Sequence, residues 1–175
     1  MKNNWKIETQ AIQSGYSPKA TEPRVLPIMQ STTFKYESAD HVAQLFDLDC
    51  ADPMYTRIGH PPTSTFPPKL AEMEGGVGAL ATSSGQAATT LAILNICHAG
   101  QHLVTASTIY GGTYSLFANT LPKLGIEVTF VDPNASVEEI KQAFRPETRC
   151  LFGETIGNPG LNVLDFEKFA AIAKE

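Results

Sequence analysis

The chain has 175 residues, 42% of them hydrophobic and 18% charged, with a formal net charge of −5. Disorder is excluded by the apolar share, and electrostatic binding of nucleic acid by an acidic balance without a basic cluster. Three widely spaced cysteines (Cys50, Cys97, Cys150) form neither a disulfide framework nor a CxxC metal pattern, and no apolar run approaches the ~18 residues of a membrane span. The expectation is a cytoplasmic protein with no membrane contact and no metal; by length alone it is one complete domain.

Residues 1–60 lack strong periodicity and are punctuated by Pro18, Pro23, Pro27 and Pro53, each of which fixes φ and removes an amide donor. They read as an extended arm with one short helix over 38–48, where Val42, Leu45 and Phe46 share a face. From Val77 the texture changes. A short apolar strand is expected over 77–82, a helix over 86–97, a strand over 102–106 and a helix over 113–124. A β-branched strand follows over 126–131, and Ser136 with Glu139 forms a capping box opening a helix through Phe144. Residues 149–153 make a fourth strand and 165–174 a last helix. This alternation predicts an α/β fold, a parallel sheet of four strands flanked by helices, with an arm over 1–60 and the α/β domain over 61–175.

In an open α/β sheet, ligands bind beyond the carboxyl ends of the strands. The segments leaving those ends are 83–86, 108–113 and 154–160, all rich in glycine and polar residues. Ser83-Ser84-Gly85-Gln86 joins a strand to a helix, where unpaired amides and the helix dipole suit a phosphate; a tight turn capped by Ser84 gives the same pattern. Tyr55 and Arg57 lie two residues apart in the arm, and the Arg fork suits a phosphate, although this spacing alone reads first as a packed Tyr and a solvated Arg. Tyr110-Gly-Gly-Thr113 offers a ring for a planar ligand or a cap over the core. Glu154 stands at a strand's end and Asn158 offers a paired donor and acceptor, or both brace a loop. Gly75-Gly76-Val77-Gly78 precedes a strand, unlike a dinucleotide fingerprint, and there is no GxxxxGK[ST] loop. His41, His60, His98 and His102 show no metal-ligand spacing and read as structural or surface residues, and Cys97 and Cys150 as buried and inert.

Taken in order, Tyr-x-Arg, Ser-Ser-Gly-Gln, Tyr-Gly-Gly-Thr and Glu-Thr-Ile-Gly-Asn-Pro-Gly resemble the pyridoxal-phosphate enzymes of cysteine and methionine metabolism. The similarity runs from Thr9-Gln-Ala-Ile-Gln-Ser-Gly15 through Pro27-Ile-Met-Gln-Ser-Thr-Thr-Phe34 to the end, and Glu154 to Val163 looks most like the O-acetylhomoserine sulfhydrylase branch. The resemblance implies the N-terminal part of an aminotransferase-like (fold type I) large domain binding pyridoxal 5′-phosphate. It implies that Gly85 and Gln86, with Ser84 beside them, hold the phosphate, and that Tyr55 and Arg57 reach the phosphate in a neighbouring subunit of a homodimer or homotetramer. Tyr110 would stack on the pyridine ring and serve proton transfer at the leaving group, Asn158 would bond the phenolic oxygen, and Glu154 would brace the pocket. Tyr110 and Tyr55 are the catalytic candidates. The implied reaction joins sulfide or a thiol to O-acetylhomoserine, giving homocysteine in methionine biosynthesis. Alternatives are a γ-lyase acting on methionine or cystathionine, and a non-catalytic truncated remnant.

Two departures stand out. The family's Schiff-base lysine and pyridine-binding Asp follow the Asn-Pro segment, and no lysine here, including Lys123, Lys141, Lys168 and Lys174, matches that motif. The expectation is the N-terminal part of a longer enzyme, inactive alone, with an exposed sheet edge prone to aggregation. Second, Gly59-His60-Pro61-Pro62-Thr63 carries His60 where the family has Asn, and Pro67-Pro68 interrupts the next helix. Since an interior proline costs roughly 3 kcal/mol, that helix is expected to begin near Pro68 and cover only 69–73.

Overall fold

In the computed structural model the described residues are 5–50, 52–58 and 65–174. The chain divides into two compact units, Met1–Ala81 and Thr82–Glu175. The boundary expected at residues 60 and 61, and the departure at Gly59 to Thr63, lie outside the described residues.

Among the described residues the first unit holds three helices, α1 (Ile7–Gln13), α2 (Ala39–Phe46) and α3 (Phe66–Glu74). Ser38 caps α2 by accepting from the His41 amide at 3.1 Å, and Leu45 is the residue this helix buries. The arm thus has the expected helix but also α1, which buries none of its own residues and so leaves no apolar stripe to read. α1 packs on α3, and Gly15 lets the chain turn there: its φ is +81°, and an added Cβ would sit 2.4 Å from the Thr65 carbonyl oxygen.

Two expectations for this unit are corrected. α3 begins at Phe66, not near Pro68, because Pro67 and Pro68 fall in its first turn, where the amide that proline lacks would have no partner. Residues 77–82 form no strand. A strand needs a neighbour to complete its ladder, and among the described residues this run has none; Val77 and Leu80 lie exposed.

The second unit is a parallel sheet in the order β2-β1-β3, with β1 His102–Ala106, β2 Glu127–Val131 and β3 Thr148–Phe152. The sheet therefore has three strands, one fewer than expected, for the reason just given. β1 is buried along its whole length, as a central parallel strand covered on both faces must be. β1 and β3 slip register between His102 and Leu103, leaving Arg149 as the unpaired, exposed extra residue. Helices α4 (Gly85–Ile96), α5 (Gly111–Ser115), α6 (Val137–Lys141) and α7 (Phe166–Lys174) complete the unit.

The expected helix over 113–124 is composite. α5 passes into a π turn at Leu116–Thr120 and a 3₁₀ turn at Leu121–Leu124. This run carries Phe117 and Leu121 to full burial beside Ile93, Leu103, Ile126, Ile140 and Ile172. The Ser136–Glu139 capping box forms with both reciprocal bonds, but α6 stops at Lys141, short of Phe144. Two thiols are buried or half-buried in this unit: burial raises the Cys97 pKa, and burial together with nearby Cys97 pushes Cys150 up to about 11. Both stay protonated at neutral pH, as inert core groups should.

His102 shows how the sheet tolerates a buried polar side chain. Its Nδ1 lies 2.7 Å from Thr148 Oγ1 on β3 and its Nε2 2.9 Å from Thr129 Oγ1 on β2. One imidazole therefore ties the central strand to both neighbours. Burial, reinforced by the Arg145 charge, holds its pKa below the ordinary 6.5. Below pH 6.5 the unfolded chain takes a proton that the folded ring refuses, so this stabilisation is present above 6.5 and declines as pH falls through the lowered folded pKa. His102→Gln, which stays neutral, should flatten the fall in urea midpoint between neutral and mildly acidic pH. An identical pH slope in the two proteins would refute that role.

Candidate active site

The sheet order reverses at β1: the chain leaves it toward β2 and returns on its other side as β3. The crevice beyond the carboxyl ends of β1 and β3 is where an α/β sheet holds its ligand. The loops leaving these ends, and the start of α4, supply the polar groups.

α4 begins at the sequence Ser84-Gly85-Gln86. The Ser84 hydroxyl oxygen accepts from the Ala87 amide at 3.1 Å, and the Ser84 carbonyl from the Ala88 amide at 3.0 Å. The Gly85 and Gln86 amides, next in the same first turn, have no acceptor among the described residues. A twelve-residue helix with free amides at its start presents partial positive charge to an anion. Gly85 is exposed, and a Cβ built there meets nothing within 4 Å. Among the described residues, nothing in the packing requires that glycine.

Glu154, two residues beyond β3, reaches across to the loop after β1. One carboxylate oxygen accepts from the Tyr110 amide at 2.9 Å and the other from the Thr113 hydroxyl at 3.3 Å. Thr113 is buried and its Oγ1 also accepts from the Gln86 side-chain amide at 3.4 Å. Gln86 on α4, Thr113 on α5 and Glu154 after β3 thus form one chain of hydrogen bonds, with the Tyr110 amide held at its end. Tyr110 as a residue stays 51% exposed, open to a ligand. Gly112 gives the ring room: a Cβ there would lie 2.4 Å from Tyr110 Cε1 and 2.7 Å from Gln86 Nε2.

The 154–164 loop is braced from within. Gly157 donates to the Asn162 carbonyl at 2.8 Å, Ile156 bridges Val163, and the Asn162 side-chain amide donates to Thr108 Oγ1 at 3.2 Å. The Asn158–Pro159 peptide is cis, and Asn158 is exposed.

Of the sequence-derived candidates, Ser84, Gly85, Gln86, Tyr110, Glu154 and Asn158 belong to the second unit. Gln86, Tyr110 and Glu154 are brought together through Thr113. Tyr55 and Arg57 belong to the first unit, where the Arg57 guanidinium carbon sits 6.0 Å from the Tyr55 ring centre and both residues are exposed. Thr113 and the Asn162–Thr108 pair were not singled out from sequence. Thr113 closes the Tyr110-Gly-Gly-Thr motif, which hinted at it, while no local signal marks Asn162.

Residues 8–175 match the model of the family described as Cys/Met metabolism PLP-dependent enzyme. The chain is 44% identical over its whole length to an O-acetyl-L-homoserine sulfhydrylase of Leptospira meyeri, covering 40% of that protein. It is 46% identical over 98% of its length to the Corynebacterium glutamicum O-acetyl-L-homoserine sulfhydrylase, covering 39% of it. A crystal structure from Campylobacter jejuni, assigned as an O-acetylhomoserine (thiol)-lyase and containing a pyridoxyl-lysine monophosphate, superposes with a TM-score of 0.85 at 30% identity, over 98% of this chain and 42% of that one. The chain thus spans about 40% of the length of the curated relatives it matches. A match covering nearly every residue, on an α/β sheet whose strand-end loops converge as described, means that the chain belongs to the pyridoxal-phosphate-dependent enzymes of cysteine and methionine metabolism.

Proposed function

We propose that this chain supplies the phosphate-binding front of an enzyme that converts O-acetyl-L-homoserine and sulfide to homocysteine in methionine biosynthesis. What supports it above all is the convergence of Gln86, Thr113, Tyr110 and Glu154 beyond the β1 and β3 ends, beside two helix-start amides without acceptors, in a chain this similar to sulfhydrylases. The donor set fits the family's cofactor. Free amides and open space over Gly85 suit a phosphate, and an exposed aromatic ring held by its backbone suits a flat pyridine.

Within this proposal the Gly85 and Gln86 amides would hold the cofactor's phosphate. The Ser84 hydroxyl, whose oxygen already accepts from Ala87, has its proton left to donate beside them. The Tyr110 ring would lie against the cofactor ring, and its hydroxyl would move a proton at the leaving group. Asn158 would donate to the phenolic oxygen, and Glu154 would keep Tyr110 in place. Tyr55 and Arg57 would reach the phosphate in a neighbouring subunit of a homodimer or homotetramer. The bound cofactor supplies the sink for negative charge developing at the substrate's Cα and Cβ. Three free thiols agree with a cytoplasmic location, and no described helix is long and apolar enough to cross a membrane.

The test supplies O-acetyl-L-homoserine to the holoenzyme carrying this chain, with and without sulfide. Homocysteine that forms only with sulfide is the expected product. Release of a 2-keto acid and ammonia without sulfide would replace the transferase with a γ-lyase, and neither product would point to a non-catalytic remnant.

A further inference from the structure

The first unit contains a cluster that the cofactor chemistry does not use. His41, in the first turn of α2, meets Cys50 and Asp52 from the segment after that helix, and one potential ligand atom from each lies within 4.8 Å of the others. His41 Nε2 is 3.3 Å from Asp52 Oδ2, while the buried Nδ1 has no hydrogen-bond partner among the described residues. A charge-assisted N–H···O bond is normally ~2.7–2.9 Å, so this pair is loose for a salt bridge. The spacing also fits the edge between nitrogen and oxygen ligands in a tetrahedron with bonds of ~2.0–2.1 Å, about 3.3 Å, and the Cys50 sulfur lies within 4.8 Å of both residues' ligand atoms.

We propose that His41, Cys50 and Asp52 form a binding site for a thiophilic divalent cation, zinc first among them. A neutral imidazole, a thiolate and a carboxylate are the three ligand types that zinc accepts, and together they balance its two charges. Cys50 is half-buried and Asp52 exposed, so an ion can enter from solvent, and three protein ligands leave a fourth position for water. Exposed Asp47 and Asp49, between α2 and Cys50, add negative charge that attracts a cation.

The sequence shows no spacing of the usual finger type, because the ligands come from a helix start and a following loop. The three types meet only after α2 has formed. The site would tie the start of this helix to the segment leading to Tyr55 and Arg57.

Cobalt(II) tests the proposal, since thiolate ligation gives an intense ultraviolet charge-transfer band. Titration of the reduced, metal-free protein should saturate at one equivalent with that band, and zinc should displace it. Cys97→Ala should keep the band, Cys50→Ser should lose it and bind cobalt at least tenfold more weakly, and Asp52→Asn should weaken binding by a similar factor. Cys50→His, which restores a ligand without sulfur, should recover affinity but not the band. A band that survives Cys50→Ser, or wild-type protein that never saturates at micromolar cobalt, would overturn the assignment.

Discussion

Phe117→Ala should lower the protein's unfolding free energy by about 3–5 kcal/mol, the cost of emptying a fully buried aromatic site. Phe117 is 0% exposed and meets the Phe152 ring edge-on at 5.1 Å between centroids. It therefore links the π turn before β2 to the end of β3, two residues from Glu154. A loss of this size is a large share of the ~5–15 kcal/mol that holds a typical domain together. Urea denaturation followed by far-ultraviolet circular dichroism measures it. A change below about 1 kcal/mol would mean that the ring is not the core element it is taken to be. The damage should reach the site, since the same β3 end carries Glu154.

Glu154→Ala should cost about 2 kcal/mol of stability, because it removes the side-chain acceptor of a backbone amide and of a buried hydroxyl. In the holoenzyme, kcat should fall by roughly tenfold to a hundredfold, since releasing the Tyr110 amide lets its ring and hydroxyl drift from their working position. Glu154→Gln keeps an acceptor for one of the two donors and should fall between wild type and Ala on both measures. Equal kcat in all three proteins would remove Glu154 from the site. Stability loss with unchanged kcat would make it a loop brace alone.

The parts of this protein legible in sequence are those decided locally. β1 could be read because His102–Ala106 is short and mostly apolar, and the Ser136–Glu139 box because its partners are three residues apart. The strand-end loops could be read as site segments because glycine and polar residues cluster where the apolar runs stop. What escaped depends on distant partners. Residues 77–82 have strand composition but no ladder among the described residues, and α1 buries nothing that would betray its period. The prolines before Lys69 looked disruptive until the helix start placed them in its first turn. Thr113 is an ordinary threonine until Gln86 and Glu154 approach it from elements 27 and 41 positions away.

Gly85→Ala in the apoenzyme form of the protein carrying this chain tests the phosphate seat most directly. The substitution touches none of the described residues and replaces glycine with a better helix former, so thermal stability should hold or rise. If the Gly85 and Gln86 amides hold the cofactor, the new methyl group intrudes where the phosphate sits. Affinity for pyridoxal 5′-phosphate should then drop by at least about tenfold, or 1.4 kcal/mol, while pyridoxal without the phosphate binds both proteins alike. Unchanged affinity for pyridoxal 5′-phosphate would contradict the account.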